Sequence, residues 1–126
     1  MLPLSILMTK EVKKVDSKTT IYEAAQLMKN YKIGSLLVEQ GHECIGIVSE
    51  TDLVRKGLAE SVDPYKTRVD SIMSSPVISI DIKKSAKDAN DMMSERGIRH
   101  LAITEHGRIV GMLSVRDLLI YFKNAF

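Results

Sequence analysis

The feature that most constrains the fold is an internal repeat with a period of 65 residues. Residues 8–53 align with residues 73–118 without a gap, and twelve of the 46 aligned pairs are identical. Average composition predicts about three identities by chance, so the chain contains two copies of one unit. The identical pairs are Met8/Met73, Val12/Val77, Asp16/Asp81, Lys18/Lys83, Ala24/Ala89, Met28/Met93, Ile33/Ile98, Leu36/Leu101, Gly46/Gly111, Ser49/Ser114, Asp52/Asp117 and Leu53/Leu118.

Each copy predicts the same order of secondary structure. A short β-branched stretch is followed by a helix with apolar residues at i, i+3, i+4 and i+7, then by two strands and a second helix. Both first helices begin with a capping pattern, Thr20-x-x-Glu23 and Ser85-x-x-Asp88. Turns containing Gly41-His42 and His106-Gly107 join the paired strands as hairpins. The predicted strands are residues 12–15, 36–39, 45–49, 77–80, 101–104 and 109–114, and the predicted helices are residues 21–28, 50–60, 86–93 and 115–124.

The fold class that follows is α/β (α+β), with two β-α-β-β-α repeats packed face to face about a pseudo-twofold axis. One copy has fewer than about 60 residues and would be marginal alone, and its sheet would leave one apolar face uncovered. A polar, proline-bearing stretch separates the copies. We therefore expect one composite module, with repeat 1 at residues 1–60, a connector at residues 61–70 and repeat 2 at residues 71–126.

The second helices carry more apolar surface than one core-facing stripe needs. Residues 118–122 read Leu-Leu-Ile-Tyr-Phe, which covers more than one helix face. A helix that is apolar on two faces needs a second neighbour, either inside the fold or in another subunit. We expect a homodimer formed through these helices.

Composition argues against several classes of protein. Eighteen basic and sixteen acidic residues are interspersed and give a net charge of +2, so the basic stripe of a dedicated nucleic-acid binder is missing. No apolar run approaches the roughly 18 residues that span a bilayer. The single cysteine, Cys44, cannot form an internal disulfide, and the histidines are not spaced as metal ligands. We expect a cytoplasmic protein with no metal and no membrane partner.

One duplicated motif carries the chemistry. Gly-h-h-Ser-x-x-Asp, where h is apolar, occurs at residues 46–52 and 111–117, where a strand runs into a helix. Ser-x-x-Asp is a common N-capping pattern. The same geometry also suits a nucleotide, because a helix N-terminus and a serine hydroxyl attract a phosphate and a carboxylate can accept from both hydroxyls of a ribose. The two interpretations are compatible, and both stay open.

The chain resembles a tandem cystathionine-β-synthase-type (CBS) domain pair, also called a Bateman module. The resemblance covers residues 5–122 and rests on the duplicated motif, on residues 97–103 and on residues 63–69 leading into 72–77. It implies a stand-alone regulatory module, not an enzyme, with no catalytic cofactor. Such a module binds AMP, ADP, ATP or S-adenosylmethionine in clefts between the repeats and responds by a change of conformation or dimer packing.

The resemblance also assigns residues to two related sites. In each site the aspartate would bind the ribose, the serine would bind the phosphate, and the segment leading into the other repeat would contact the base. The first site is implied to combine Ser49, Thr51 and Asp52 with Gly34 and Ser35, and with Thr67 and Ile72 across the cleft. The second is implied to combine Ser114, Arg116 and Asp117 with Arg99 and His100, and with Leu4–Leu7.

The two implied sites differ in charge. The Asp117 site has three basic side chains for a phosphate, and arginine suits bidentate phosphate contact; they are Arg99, His100 and Arg116. The Asp52 site has Gly34 and Ser35 instead, where Arg55 or Lys56 could substitute. We expect the Asp117 site to prefer the more highly charged phosphates.

Two other functions remain open at this stage. A nucleic-acid-binding module would show an affinity that falls steeply with salt. A protein-interaction scaffold with vestigial clefts would dock a partner on its apolar second helices and would gain no stability from adenosyl ligands.

Overall fold

The computed structural model describes residues 2–123, apart from the side chain of Phe122. Over these residues the strands form two three-stranded sheets, and each sheet belongs to one sequence copy. The α+β class and the repeated β-α-β-β-α order are confirmed. The elements are α1 (Leu4–Leu7), β1 (Lys14–Asp16), α2 (Ile21–Tyr31), β2 (Ser35–Gln40), β3 (Glu43–Ser49), α3 (Glu50–Asp52), β4 (Ser79–Asp81), α4 (Ala86–Arg96), β5 (His100–Glu105), β6 (Arg108–Ser114) and α5 (Val115–Lys123).

The two sheets have the same topology and register. The short first strand pairs parallel to the second, and the second pairs antiparallel to the third. A register shift falls between Val38 and Glu39 in one sheet and between Ile103 and Thr104 in the other, 65 residues apart. The predicted hairpins are confirmed, although the first strands β1 and β4 begin two residues later than predicted.

Capping explains where the first helix of each copy begins. The Ser85 hydroxyl accepts from the backbone N–H of Asp88 at 3.0 Å, and the Asp88 carboxylate accepts from the N–H of Ser85 at 3.2 Å. The Thr20 hydroxyl accepts from the N–H of Glu23 at 3.2 Å. Both predicted capping patterns are therefore confirmed. Each helix ends at a residue with a left-handed backbone, Lys32 or Gly97.

The second helices of the two copies are not equivalent: the predicted helix over residues 50–60 is present, but it is irregular. After the three residues of α3, the chain widens into a π-helical turn at Leu53–Gly57 and tightens into a 3-10 turn at Leu58–Glu60. Gly57 lies buried against Ile21, and glycine weakens a regular helix. Helix α5 stays regular through Lys123; residue 124, the last of the predicted helix, lies outside the described residues.

The compact packing units do not coincide with the sequence repeats. One unit is Lys13–Val77, and the other combines the described parts of Met1–Val12 and Ile78–Phe126. Leu4 and Leu7 pack with Leu101 and Leu113 in the core of the second unit. The segment before each repeat therefore packs on the sheet of the other sequence copy. We call residues 2–8 and 67–73 the leading segments.

The connector packs closely on the first copy. The N–H of Ile21 donates to the carbonyl of Thr67 at 2.9 Å, and the N–H of Val69 donates to the carbonyl of Thr19 at 2.7 Å. Val69 and Ile72 are core residues beside Val48. These contacts hold the second leading segment against the start of α2, within the same unit as β2 and β3.

Candidate functional site

The start of α3 lies beside the start of β2, because Ser35 and Ser49 are paired across the hairpin. The N–H of Glu50 donates to the carbonyl of Gly34 at 3.0 Å, and the N–H of Asp52 donates to the Ser49 hydroxyl at 3.3 Å. Two first-turn amides are therefore already bonded within the chain. A phosphate bound here would therefore depend more on side-chain donors than on the backbone N–H groups of the helix N-terminus.

Asp52 is the buried charge of this unit, with a side chain that is 8% exposed. Its Oδ2 accepts from the backbone N–H of Ser49 at 2.9 Å and lies 3.2 Å from the Ser49 hydroxyl. The capping interpretation of the motif is thus confirmed here. These bonds also hold the carboxylate in one orientation, which is what a positioned ligand-binding group requires.

The other oxygen of Asp52 faces a lysine that lies outside the Ser-x-x-Asp motif. Lys56 Nζ lies 3.2 Å from Asp52 Oδ1 and donates to the carbonyl of Ile72 at 3.2 Å. Lys56, which the sequence predicts as a possible phosphate contact, lies at the carboxylate assigned to the ribose. The i,i+4 spacing of Asp52 and Lys56 was a signal for this ion pair.

The second leading segment places its two predicted site residues differently. Thr67 is half-buried at the start of this segment, and its carbonyl accepts from the backbone N–H of Ile21. The Ile72 side chain is 4% exposed and belongs to the core, so its backbone carbonyl is the part that meets Lys56. Both residues lie in the unit that contains Asp52.

The Asp117 site repeats the same backbone arrangement in the other unit. Asp117 Oδ2 accepts from the N–H of Ser114 at 2.8 Å, and the Ser114 hydroxyl accepts from the N–H of Asp117 at 3.1 Å. The N–H of Val115 donates to the carbonyl of Arg99 at 2.9 Å, and His100 pairs with Ser114 across the hairpin. The capping interpretation is confirmed in this copy too.

The surroundings of Asp117 differ from those of Asp52 in charge and in exposure. Arg99 and Arg116 are exposed, and Asp117 is half-buried where Asp52 is buried. Tyr121 stands at the position of Lys56. The facing residues of the first leading segment, Leu4 and Leu7, are buried in the core, as Ile72 is in the other unit.

The described residues give no sign of a metal centre or of a membrane span. Within residues 2–123, no group of three or more His, Cys, Asp or Glu side chains could hold a metal ion. In that same part of the chain, no helix has both the length and the apolar character needed to cross a bilayer.

Comparison with known proteins identifies the family. The family model of the CBS domain matches residues 5–59 and again residues 69–124. The chain belongs to the CBS-domain family. The predicted resemblance is therefore confirmed, and it covers both sequence copies.

Individual CBS relatives match along most of this chain. A Methanopyrus kandleri protein is 34% identical over 102 residues, which are 79% of this chain and 52% of that protein; the chain thus spans about half of its length. A Burkholderia ambifaria structure, whose name describes a proposed signal-transduction protein with CBS domains, has 31% identity and a TM-score of 0.86, covering 90% of this chain and 83% of that one. A hexameric CBS-CP12 protein from bloom-forming cyanobacteria has 31% identity and a TM-score of 0.86, covering 94% of this chain and 70% of that one.

Proposed function

We propose that this CBS protein is a non-catalytic regulatory module that binds adenosyl nucleotides at two sites, one in each packing unit. The observation that carries the proposal is the grouping around each motif. A fixed carboxylate, a serine hydroxyl and a leading segment from the other sequence copy belong to one unit in each case. Such a grouping offers separate contacts for the sugar, the phosphate and the base.

The aspartates are suited to the ribose. Each carboxylate is held through Oδ2 by the backbone N–H of its serine, at 2.9 Å for Asp52 and 2.8 Å for Asp117. Vicinal hydroxyls of a ribose are donors, and a carboxylate has acceptor capacity beyond one bond to an amide. A carboxylate already oriented by its own backbone loses little freedom when the sugar binds.

The Asp117 site is the better candidate for phosphates of higher charge. Arg116 lies within the motif, and the carbonyl of Arg99 accepts from the N–H of Val115 at 2.9 Å. Both arginines are exposed, and His100 lies across the hairpin from Ser114. Arginine binds phosphate oxygens through two parallel N–H donors. We expect ATP or ADP to bind here more tightly than AMP.

Binding of the nucleotide would be signalled by a change in conformation or by a change in the packing between copies of the chain. Exposed apolar side chains lie on both second helical segments, notably Leu58, at 80% exposure, and Leu119, at 61%. A homodimer through these segments is part of the proposal, and the cyanobacterial relative is named as a hexamer. A separate regulated protein would receive the signal.

Titration calorimetry on the full chain tests the proposal with AMP, ATP and S-adenosylmethionine as probes. Asp117→Ala and Asp52→Ala should each weaken binding at their own site about 10- to 100-fold, because each removes hydrogen bonds to a charged group. Asp88→Ala is the matched control: it breaks a capping box of the same geometry on α4, outside both sites, and should leave affinity unchanged.

Each alternative result has a definite meaning. Unchanged affinity in both aspartate variants rejects the site assignment, and absence of binding by every probe rejects nucleotide sensing. Binding of nucleic acid with a steep decrease in affinity as salt rises would favour the nucleic-acid function instead.

A further inference from the structure

The ion pair between Lys56 and Asp52 has a direct consequence for any ligand of that site. The Lys56 ammonium lies 3.2 Å from Asp52 Oδ1, the carboxylate oxygen that the Ser49 bonds leave available. A ribose that donates to Oδ1 must therefore displace Lys56 or share the oxygen with it. In this structure the Lys56 ammonium is therefore bound to the oxygen that a ribose hydroxyl would use.

Displacing Lys56 is feasible, but it separates the Lys56 ammonium from the Asp52 carboxylate. The Lys56 side chain is 49% exposed, whereas that of Asp52 is only 8% exposed. A lysine head on a flexible four-carbon stem can move without any change in the backbone. Sugar hydroxyls can take its place as donors to the carboxylate, but the buried carboxylate then loses its close cation and the ammonium loses its close anion.

The chemistry of the ligand decides whether that loss is recovered. A nucleotide carries its phosphate on the 5′ carbon of the same ribose, so the displaced ammonium finds a new anion a few ångströms from its old one. Adenosine offers no anion there. S-adenosylmethionine carries a positive sulfonium on that carbon, next to the displaced ammonium.

We infer that Lys56 makes the Asp52 site selective for adenosyl ligands with a 5′-phosphate, against adenosine and S-adenosylmethionine, an inference that rests on the proposed nucleotide binding. Lys56 exchanges Asp52 for the ligand's phosphate when the ribose binds. The exchange also releases the carbonyl of Ile72 in the leading segment, which Lys56 holds at 3.2 Å. The Asp117 site has a tyrosine, Tyr121, at the matching position, so selection by exchange of a lysine is specific to the Asp52 site.

The test is titration calorimetry on the full chain carrying Asp117→Ala, so that the Asp52 site is read alone, with AMP, adenosine and S-adenosylmethionine as probes. AMP should bind at least about tenfold more tightly than adenosine. Adding Lys56→Met should weaken AMP about tenfold and strengthen adenosine, so the two affinities converge. Lys56→Arg should keep the preference for AMP.

Two further variants make the result specific. Lys87→Met is the matched control, because Lys87 forms an i,i+4 pair with Asp91 at 3.0 Å on α4; it removes the same charge and should leave the AMP-to-adenosine ratio unchanged. Lys56→Gln keeps a donor for the Ile72 carbonyl without the charge. It should behave as Lys56→Met does, and it serves in its place if that variant does not fold.

The outcomes separate this inference from the proposed function. An unchanged ratio in Lys56→Met and Lys56→Gln, or an equal loss of AMP and adenosine, overturns the role of Lys56 but leaves nucleotide binding intact. Loss of all binding in Asp117→Ala, with binding in the unmodified chain, also overturns it. Absence of binding by every probe to the unmodified chain rejects the proposed function, and the inference with it.

Discussion

The sulfur of Met73 lies over the backbone of Gly46, so that a Cβ built on this glycine would stand 2.6 Å from Met73 Sδ and 2.8 Å from the carbonyl oxygen of Ser74. The same relationship joins Met8 to Gly111, where the Cβ would lie 2.5 Å from the sulfur. Each methionine thus covers the glycine of the other sequence copy. The motif glycine is required by this close approach, and its backbone φ is not left-handed.

Replacing Gly46 by alanine should destabilise the protein by about 1–3 kcal/mol, the usual effect of overpacking. The Ser74 carbonyl cannot move away freely, because it accepts from the N–H of Ile47 at 3.0 Å. Urea denaturation measures the change. Gly57→Ala is the contrast, since the nearest atom to its Cβ would be the flexible end of Ile21 at 3.2 Å, with the Asp52 carbonyl at an ordinary 3.9 Å. A larger loss there than in Gly46→Ala would contradict the explanation.

Leu4→Ala should destabilise the protein by about 2–5 kcal/mol, the usual cost of a cavity in a core. Leu4 is fully buried with Leu101 and Leu113, although its segment begins the chain. Ile6→Ala provides the control on the same short helix, because Ile6 is 66% exposed; it should change stability by less than about 0.5 kcal/mol. Equal midpoints for the two variants in urea would show that the first leading segment is not part of this core.

The Asp88 cap should give a stability contribution that depends on pH. Hydrogen bonds from the backbone and then the side chain of Ser85 hold the pKa of Asp88 below its ordinary 3.8. A lowered folded-state pKa means that the contribution is complete above the unfolded pKa and is lost as pH falls through the folded pKa. Ser85→Ala removes only the side-chain bond, so carboxyl NMR titration should show the pKa moving part of the way back; an unmoved pKa would contradict this.

Cys44 should react slowly with alkylating reagents at neutral pH. Partial burial is the main reason that its pKa is raised above the ordinary 9.0; Lys14 lowers it and Glu39 raises it. Because the thiolate is the nucleophile, the rate of iodoacetamide alkylation should rise with pH through an inflection above 9.0. Lys14→Met should move the inflection higher and the remote Lys87→Met should not, whereas an inflection below the ordinary value would show that desolvation does not dominate.

Much of the local structure could be predicted from residue patterns. The 65-residue period predicted that the two copies share one topology, and the capping patterns at Thr20 and Ser85 placed the starts of α2 and α4 correctly. The turns and strands of both hairpins followed from short-range alternation and turn residues. The caps, turns and hairpins depend on residues that are near each other in the sequence, which is why a single sequence reveals them.

Other features depend on partners far along the chain. The irregular second helix of the first copy contains Gly57, which lies against the distant Ile21. The role of Lys56 depends on a carbonyl sixteen residues away, at Ile72. The i,i+4 spacing is compatible with the Lys56–Asp52 contact, but spacing does not reveal which oxygen is used or what else the ammonium meets.

By itself, the sequence determined the repeat, the element types, the capped helix starts and the pairing of Ser49 with Asp52 and of Ser114 with Asp117, because each is a contact between near neighbours. Only the tertiary structure decided which core residues each leading segment packs against, and that the lysine beside Asp52 also meets the carbonyl of Ile72. Burial of apolar side chains drives such packing, and it does not depend on how close two residues are in the sequence. The partner of Leu4 or of Gly46 is therefore known only once the chain has folded.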